Sequence, residues 1–405
     1  MGVQSLCAEE GKGSQSFKLY QGVQAALFYG AYGAWLAVAL LNTSVLSPFL
    51  GKNNVVYYVV AVCFAVVELL GLRHEGRKGI LFLALLALLN VQTFVIGHND
   101  LLIFSMLMVC GRRADFKRVI TITVVVSVVV SVALAVLSCV GIIPDVTNVR
   151  VDGTIRHALG YGYVTYLSYV FMNVAFLVIY RRSVESALRP IDVAVLMIIN
   201  IIIFIICQAR NAFFIVTAAL VVVSVFQWRL RTARGLNVAK RVWLVCRQAA
   251  VWVFPAMAVL SLALGFFYLV APQSDVAVFL DGVLSTRLQK MAHAIKMIGL
   301  PLIGGTDMTL SDVLVIDNSY LRIVYEHGVV TLVVVLVMWT YAMWKAARFG
   351  DVCMVWLMAL VACCAVVDAQ LISFQQNTLL FAVAWCMPGG VVQFKKSRLV
   401  VPDGY

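Results

Sequence analysis

The sequence contains few charged residues. Asp, Glu, Lys and Arg make up 12% of its 405 residues, and 63% are hydrophobic, whereas a soluble globular domain carries about 25% charged residues. So small a charged fraction excludes a sizeable water-soluble domain. Because a transmembrane helix needs about 20 mainly apolar residues, the chain is apolar enough for several crossings.

Patterns that bind metals are also missing. The chain has only five His, and no DxD-like pair, HExxH or Cys/His cluster lies in a predicted outer segment, so a metal-dependent transferase has little support. Nearly all of the ten Cys lie in apolar runs or at their cytoplasmic ends, and we interpret them as reduced packing residues. The first apolar run has no A-x-A-like cleavage site and is expected to be an uncleaved span.

Apolar runs, oriented by the Lys and Arg clusters between them, predict an all-α polytopic membrane protein with about twelve transmembrane helices and cytoplasmic termini. We expect residues 1–405 to form one transmembrane domain. Most of the 31 Lys and Arg fall on the cytoplasmic side, so the net charge of +12 needs no nucleic-acid partner. The predicted spans lie near 24–42, 55–72, 79–94, 98–110, 119–143, 161–180, 191–207, 212–228, 249–270, 321–344, 352–368 and 377–394.

One connection, residues 271–319, is much longer than the others and is predicted to lie on the outer side. Long loops between rigid elements often carry binding and catalytic residues. Within it, Ser285 is expected to cap an amphipathic helix that lies on the outer leaflet. A second short helix is expected to begin near Asn318 and to lead through Gly328 into the tenth span.

Several arginines lie near the predicted outer ends of spans, where charges are costly unless they have partners. Arginine stays charged and binds phosphate through parallel N–H groups. Arg210 is the foremost candidate because it lies in a minimal turn between two spans, although an interfacial anchor is the alternative. The full set of candidates for binding a diphosphate is Arg210, Arg156, Arg287 and Arg322.

Residues 156–163 place Arg156 and His157 before two glycines, which would let backbone amides approach a ligand closely. A tight interfacial turn with a belt of tyrosines is the alternative interpretation. Both interpretations place this segment at the entrance of the sixth span.

Three residues are candidates for positioning or deprotonating an acceptor hydroxyl. In order of preference they are Asp317, His157 and Glu326. Structural alternatives exist for two of them. One residue of the segment 317–319 is expected to be a helix N-cap, and Glu326 stands at i, i+4 from Arg322, with which it would pair.

Four segments follow one another in an order that matches a known set of motifs. They are 156–163 (RHALGYGY), 208–211 (QARN), 285–287 with 300–305 (STR and LPLIGG), and 317–320 with Gly328 (DNSY and G). Together they resemble the O-antigen polymerase and ligase superfamily, the Wzy-type polymerases in particular. Two positions depart from its pattern: the turn 208–211 lacks the usual serine, and Tyr163-Val164-Thr165 stands where H-P-N is frequent.

The resemblance implies a glycosyltransferase that joins undecaprenyl-diphosphate-linked oligosaccharide repeat units of a capsule or O-antigen. Donor and acceptor would meet on the outer face of the bacterial cytoplasmic membrane, and no cofactor is expected. Membrane lipids, a flippase and a chain-length regulator are the further partners it implies. A ligase of the same superfamily, which transfers the glycan to another acceptor, is the nearest alternative.

A transporter or flippase for lipid-linked sugars is the main alternative from another class. It would be expected to carry charges at mid-membrane and to have broken helices. The sequence instead places its charges near the predicted outer interface, with only Glu68 and Asp368 nearer to spans. A non-catalytic membrane scaffold would not be expected to cluster arginines on its outer side.

Overall fold

The chain is almost entirely helical in the residues that the computed structural model describes, which are 3–50, 55–71, 76–96, 100–150, 153–229, 233–305 and 316–395. In its first half the helices are α1 (Val3–Asn42), α2 (Ser47–Leu50), α3 (Val55–Gly71), α4 (Arg77–Ile96), α5 (Asp100–Gly111), α6 (Phe116–Cys139), α7 (Tyr166–Glu185) and α8 (Pro190–Cys207). In its second half they are α9 (Arg210–Arg229), α10 (Ala233–Val251), α11 (Val253–Val270), α12 (Asp275–Val283), α13 (Arg287–Ile298), α14 (Ser319–Phe349), α15 (Val352–Cys364) and α16 (Leu380–Cys386). Two short strands, β1 (Thr147–Val149) and β2 (Ile155–His157), form an antiparallel hairpin between α6 and α7.

Six of the described helices are long and apolar enough to cross a membrane. They are Gly22–Asn42 of α1, α6, α8, Arg210–Gln227 of α9, α11 and α14. Large apolar side chains such as Val129 and Ile202 are exposed on them, as expected where lipid is the solvent. The predicted all-α fold is confirmed and these helices indicate a membrane protein, whereas the count of about twelve crossings stays a prediction.

The last predicted span, near 377–394, contains only a short helix. α16 has 7 residues, and at about 1.5 Å per residue it is too short to cross a bilayer. All of its residues are buried inside the protein. The chain before it, residues 365–379, forms no helix and is called here the irregular segment.

Side chains from other helices hold the irregular segment in place. Ser319 Oγ accepts a hydrogen bond of 2.8 Å from the amide of Gln370, and Asn173 Oδ1 accepts one of 2.9 Å from the amide of Thr378. These bonds replace those that a helix would make internally. Backbone groups that are buried away from water need such partners.

The bundle has two ends that differ in charge. At the basic end, Tyr180 of α7 donates a 2.9 Å hydrogen bond to Asp351, the N-cap of α15. At the loop end, where the β1–β2 hairpin and α12–α13 lie, the amide of Ser319 donates to Ala365 O at 2.8 Å. The basic end is defined by its clustered Lys and Arg, which are Arg112, Arg113, Lys117, Arg118, Arg181, Arg182, Lys345 and Arg348.

A buried ion pair connects three parts of the chain near the basic end. Arg112 is 1% exposed, and its Nη2 lies 2.6 Å from Glu68 Oε1. Its Nη1 also donates to Pro388 O at 3.3 Å, so the guanidinium joins α3 to the segment after α16. Because an unpaired buried charge is strongly destabilising, we assign Glu68 a structural role.

α13 is amphipathic, as predicted, but its apolar side packs against the protein. Leu288 is fully buried, in a cluster with Leu321 of α14 and apolar residues of α11. The predicted contact of this side with the outer leaflet is therefore wrong. The predicted cap is also wrong, because Thr286 rather than Ser285 is the N-cap, and both residues have positive φ in a sharp turn before the helix.

α14 begins where the sequence predicts and breaks at Gly328. Asn318 is its N-cap, and the Asn318 side chain accepts a hydrogen bond from the first turn. Gly328 has a φ of 88° and a ψ of 161°, so a short helix leads through this glycine into a long one, as predicted. Residues 301–305 lie in the break, where the amide of Val329 donates to Pro301 O at 2.9 Å.

Candidate functional site

A cavity of about 290 Å³ opens at the loop end of the bundle. Its wall is formed by α1, α5, α7, α13, α14, the chain just before α14 and the irregular segment. The charged residues in the wall are Asp100, Arg287, Asp317, Arg322, Glu326 and Asp368. The structure thus brings together two of the predicted diphosphate ligands and two of the predicted acid–base residues.

Arg287 and Asp317 form an ion pair between two parts of the long loop. Arg287 is the first residue of α13 and Asp317 directly precedes the N-cap of α14. Arg287 Nε lies 3.1 Å from Asp317 Oδ2, and the side chains are 23% and 29% exposed. Burial alone would lower the pKa of Arg287, but Asp317 raises it above its ordinary value. Asp317 therefore holds the Arg287 guanidinium charged at the cavity wall.

Arg322 and Glu326 form a second ion pair, as their i, i+4 spacing predicts. Arg322 Nε lies 2.8 Å from Glu326 Oε1, and their side chains are 32% and 5% exposed. A carboxylate this buried requires a cationic partner. Glu326 therefore fixes the position of Arg322, whose guanidinium remains the more accessible member of the pair.

Two glycines determine where Glu326 lies. Gly304 is packed against the backbone of Glu326 and His327, with no room for a Cβ atom. Gly328 has positive φ and is packed against the backbone of residues 302–304. We call this pair the glycine clasp. The sequence carries its two members in separate motifs, and the structure joins them beside the cavity.

Asp368 is a cavity carboxylate that the sequence analysis did not include in the predicted site. It lies in the irregular segment, where Ser319 Oγ donates to its carbonyl oxygen and Gln370 Nε2 donates to its carboxylate. Burial raises the pKa of Asp368 to about 7; the Gln370 hydrogen bond lowers it, Asp317 raises it and Arg287 lowers it. Asp368 is thus the cavity carboxylate with a pKa near neutrality.

The rest of the wall is polar and aromatic. Amide side chains both donate and accept hydrogen bonds, and a tyrosine ring offers an apolar face with a polar tip. This part of the wall suits an uncharged ligand with many hydroxyl groups. It was not predicted from the sequence, although the mainly polar run 373–378 between two apolar runs was a usable signal. The residues are Asn42, Thr43, Tyr163, Tyr166, Gln375 and Gln376.

Arg156 lies beside the cavity rather than in its wall. Its Nε donates a 3.1 Å hydrogen bond to Cys207 O at the end of α8, where a cation also complements the helix dipole. Burial lowers the pKa of Arg156, and Arg287 contributes in the same direction, so the two guanidinium groups lie near each other. The amide of Gly162 donates to Thr43 O at 2.8 Å, so this glycine packs on protein backbone instead of binding a ligand.

His157 is paired with Asp145 and does not line the cavity. His157 Nδ1 lies 2.6 Å from Asp145 Oδ2. Asp145 Oδ1 accepts from the amides of Ala158 and Leu159 at 3.1 and 2.8 Å. These bonds hold the chain between β2 and α7, which gives the pair a structural role. The predicted acid–base role of His157 gains no support from this position.

Arg210 is the first residue of α9 and is exposed. The turn before it contains Gln208 with a φ of 51°, and Arg150 donates to Gln208 O at 2.8 Å. Arg210 does not line the cavity. Its predicted role as the foremost phosphate ligand therefore stays a prediction, and Arg287 and Arg322 are the better-placed arginines.

Neither a metal centre nor a relative identifies the site. In the described ranges, no three His, Cys, Asp or Glu side chains form a group that could hold a metal ion, and the described cysteines are free thiols. Comparison with family models, characterised proteins and solved structures gave no match. The resemblance to O-antigen polymerases consequently rests on the motifs of this chain and on where they lie.

Proposed function

We propose that this protein is a membrane glycosyltransferase that polymerises undecaprenyl-diphosphate-linked oligosaccharide repeat units. One observation carries the proposal: Arg287 and Arg322, from separate helices, line one cavity, and each is held by its own carboxylate. Two fixed and permanently charged forks suit the two phosphates of a diphosphate. The uncharged part of the wall suits the hydroxyl groups of an oligosaccharide.

The cavity would face the outer side of the bacterial cytoplasmic membrane. Lys and Arg clusters mark the cytoplasmic side of membrane proteins, and the basic end carries such clusters. The loop end, with the 271–319 loop, would then lie outside. About twelve crossings, with both termini in the cytoplasm, are compatible with this orientation.

The reaction would be a displacement at the anomeric carbon of the donor glycan. The acceptor hydroxyl oxygen forms a bond to this carbon, the bond from the carbon to the phosphate oxygen breaks, and its electron pair leaves with undecaprenyl diphosphate. Arg287 and Arg322 stabilise the charge that develops on this leaving group. Arg156, which lies near Arg287, and Arg210 add to the positive field.

In each ion pair, a phosphate of the donor can replace the carboxylate that holds the arginine. Phosphate oxygens that bind Arg287 replace the carboxylate of Asp317, which is then free to orient the acceptor hydroxyl. The sequence ranks Asp317 first for this role, before His157 and Glu326. Of the three, Asp317 and Glu326 are in the cavity wall, so the structure favours these two over His157.

The arrangement of the motif segments supports the proposal. Tyr163, from the first segment, lines the cavity together with Arg287 and Asp317 from the third and fourth. The glycine clasp connects the third segment to the fourth. Residues from three of the four motif segments thus line one cavity, as residues of one active site would.

Purified protein in liposomes that contain lipid-linked repeat units tests this function. Wild-type protein is expected to produce a ladder of longer glycans. Arg287→Lys and Arg322→Lys keep the charge but lose the fork, and each is expected to slow polymerisation by about tenfold or more. Lys296→Ala, on the exposed side of α13, is the matched control and should leave the ladder unchanged. Full-rate polymerisation by both arginine variants would contradict the proposed diphosphate site.

Transport of lipid-linked sugars is the second candidate, because the irregular segment interrupts the helices beside a charged cavity, and interrupted helices are typical of transporters. The same liposomes separate the possibilities. A transporter moves the lipid-linked oligosaccharide across the bilayer without lengthening its glycan. A ligase forms a new bond, but only to a different acceptor. Chain growth on the lipid carrier decides for a polymerase.

A further inference from the structure

The carboxylates of the cavity differ in what surrounds them. Asp317 lies 3.1 Å from Arg287, and Glu326 lies 2.8 Å from Arg322. Asp100 is exposed at the start of α5. Asp317 and Glu326 thus each have a carboxylate oxygen engaged by a guanidinium group.

Asp368 lies in the same cavity without such a partner. In the part of the chain that the structure describes, it forms no ion pair, and its carboxylate accepts a hydrogen bond from Gln370 Nε2. Its carbonyl oxygen accepts a 2.5 Å hydrogen bond from Ser319 Oγ, which fixes the backbone against the start of α14. The backbone of the residue is therefore fixed, while its carboxylate is held by an amide hydrogen bond and by no ion pair in the described part of the chain.

The irregular segment also contributes the side chains best suited to an acceptor sugar. Gln375 and Gln376 follow Asp368 in this segment and line the same cavity. Arg287 and Arg322 approach from α13 and α14. Arg287 and Arg322 thus lie on two helices, whereas Asp368, Gln375 and Gln376 belong to one other segment of the cavity wall.

We infer that Asp368 is the catalytic base that removes the proton of the acceptor hydroxyl, an inference that rests on the glycosyl transfer proposed above. The proton passes to the Asp368 carboxylate as the hydroxyl oxygen bonds to the anomeric carbon. The electron pair of the broken carbon–oxygen bond leaves with undecaprenyl diphosphate, which Arg287 and Arg322 hold. The proton is later released to water in the open cavity, so the carboxylate is regenerated.

The surroundings of Asp368 are consistent with proton transfer near neutral pH. Burial raises its pKa to about 7, and a general base works best when its pKa lies near the working pH. A bound diphosphate adds negative charge and raises this pKa further. The charged and titratable groups that face Asp368 are Arg287, Asp317, Arg322, Glu326, Asp100, Tyr166, Tyr169 and Cys364.

Asp368→Asn tests the inference, because it keeps the shape of the side chain and removes the base. We expect polymerisation to slow by about a hundredfold or more, while binding of undecaprenyl diphosphate to the protein in nanodiscs is not weakened, because a repelling negative charge has been removed. Asp368→Glu should recover part of the rate. Asp275→Asn is the matched control, since Asp275 is an exposed carboxylate of α12 outside the cavity wall, and should behave as wild type.

The pH profile supplies a second measurement. The wild-type rate should rise as pH increases through about 7, because only the ionised carboxylate accepts a proton. The residual rate of Asp368→Asn should lack this rise. If the Asn variant does not fold, the wild-type profile decides, and a rate that stays flat through neutrality overturns the inference.

The outcomes separate this inference from the proposed function. If Asp368→Asn polymerises at the wild-type rate while Arg287→Lys does not, the base is misassigned and the glycosyl transfer stands. If Asp368→Asn also loses undecaprenyl diphosphate binding, or if Asp368→Glu recovers nothing, Asp368 has a binding or structural role and the inference is overturned. If wild-type protein forms no glycosidic bond in the same liposomes, both proposals fall.

Discussion

Gly304 and Gly328 are packed so closely that a Cβ atom on Gly328 would lie 2.7 Å from the backbone nitrogen of Gly304. Real Cβ atoms almost never approach another atom so closely. Gly328 also has a φ of 88°, which is strained for any residue with a side chain. This contact lies next to Glu326 and thereby sets the position of Arg322 in the cavity.

Gly328→Ala is accordingly expected to destabilise the protein. The positive φ costs roughly 1 kcal/mol or more, and the overpacked contact adds about 1–3 kcal/mol. The melting temperature in detergent should fall, and polymerisation should decrease because Glu326 and Arg322 are displaced. Gly30→Ala in α1 is the control, since nothing lies within 4 Å of a Cβ there and alanine favours helix. Equal melting temperatures for the two variants would contradict the proposed importance of the glycine clasp.

The Asp145–His157 pair leads to a prediction about structure rather than catalysis. Asp145→Asn weakens the 2.6 Å contact with His157 and two amide hydrogen bonds, so stability should fall by about 1 kcal/mol. His157→Gln should polymerise at a rate close to wild type, because His157 does not line the cavity. Thermal unfolding and the liposome assay measure the two effects. A large loss of rate with unchanged stability in His157→Gln would restore the acid–base role.

Arg156 should behave differently from Arg287 when each is replaced by lysine. Arg156 Nε donates to Cys207 O at the end of α8. Arg156→Lys should therefore lower the melting temperature while the affinity for undecaprenyl diphosphate stays close to wild type. Arg287→Lys should lower the affinity while the melting temperature stays close to wild type, because Arg287 lines the cavity. Melting temperature and affinity for undecaprenyl diphosphate are measured for both variants. The reverse pattern would make Arg156 the phosphate ligand.

Local signals in the sequence were sufficient for the all-α class, for the start of α14 and for part of the site. Capping is a local interaction, so the start of α14 near Asn318 and its continuation through Gly328 could be predicted. The Arg322–Glu326 pair followed from helical spacing. The apolar periodicity of α13 predicted that one side would be buried, but periodicity alone does not say whether lipid or protein covers it.

Asp368 could not be found in the same way, because its place depends on contacts between distant segments. The apolar run near 352–368 predicts a helix through this residue, whereas α15 ends at Cys364. Ser319 and Asn173 supply the hydrogen bonds that stabilise the irregular segment. Neither residue is close to Asp368 in sequence, so no local pattern reveals that the helix stops early and forms a cavity wall.

Asp368 should also make the stability of the protein depend on pH. Burial raises its pKa to about 7 in the folded protein, above the ordinary value of about 3.9 in an unfolded chain. The folded state therefore binds this proton more tightly, and the stability that it contributes is fully present below about pH 4 and lost as pH rises through about 7. Asparagine carries no titratable proton. Between about pH 5 and pH 8, the melting temperature of Asp368→Asn should thus rise relative to that of wild type. The melting temperature of Asp275→Asn should not change relative to wild type over the same range. A difference between Asp368→Asn and wild type that stays constant would show that Asp368 is ionised throughout this range.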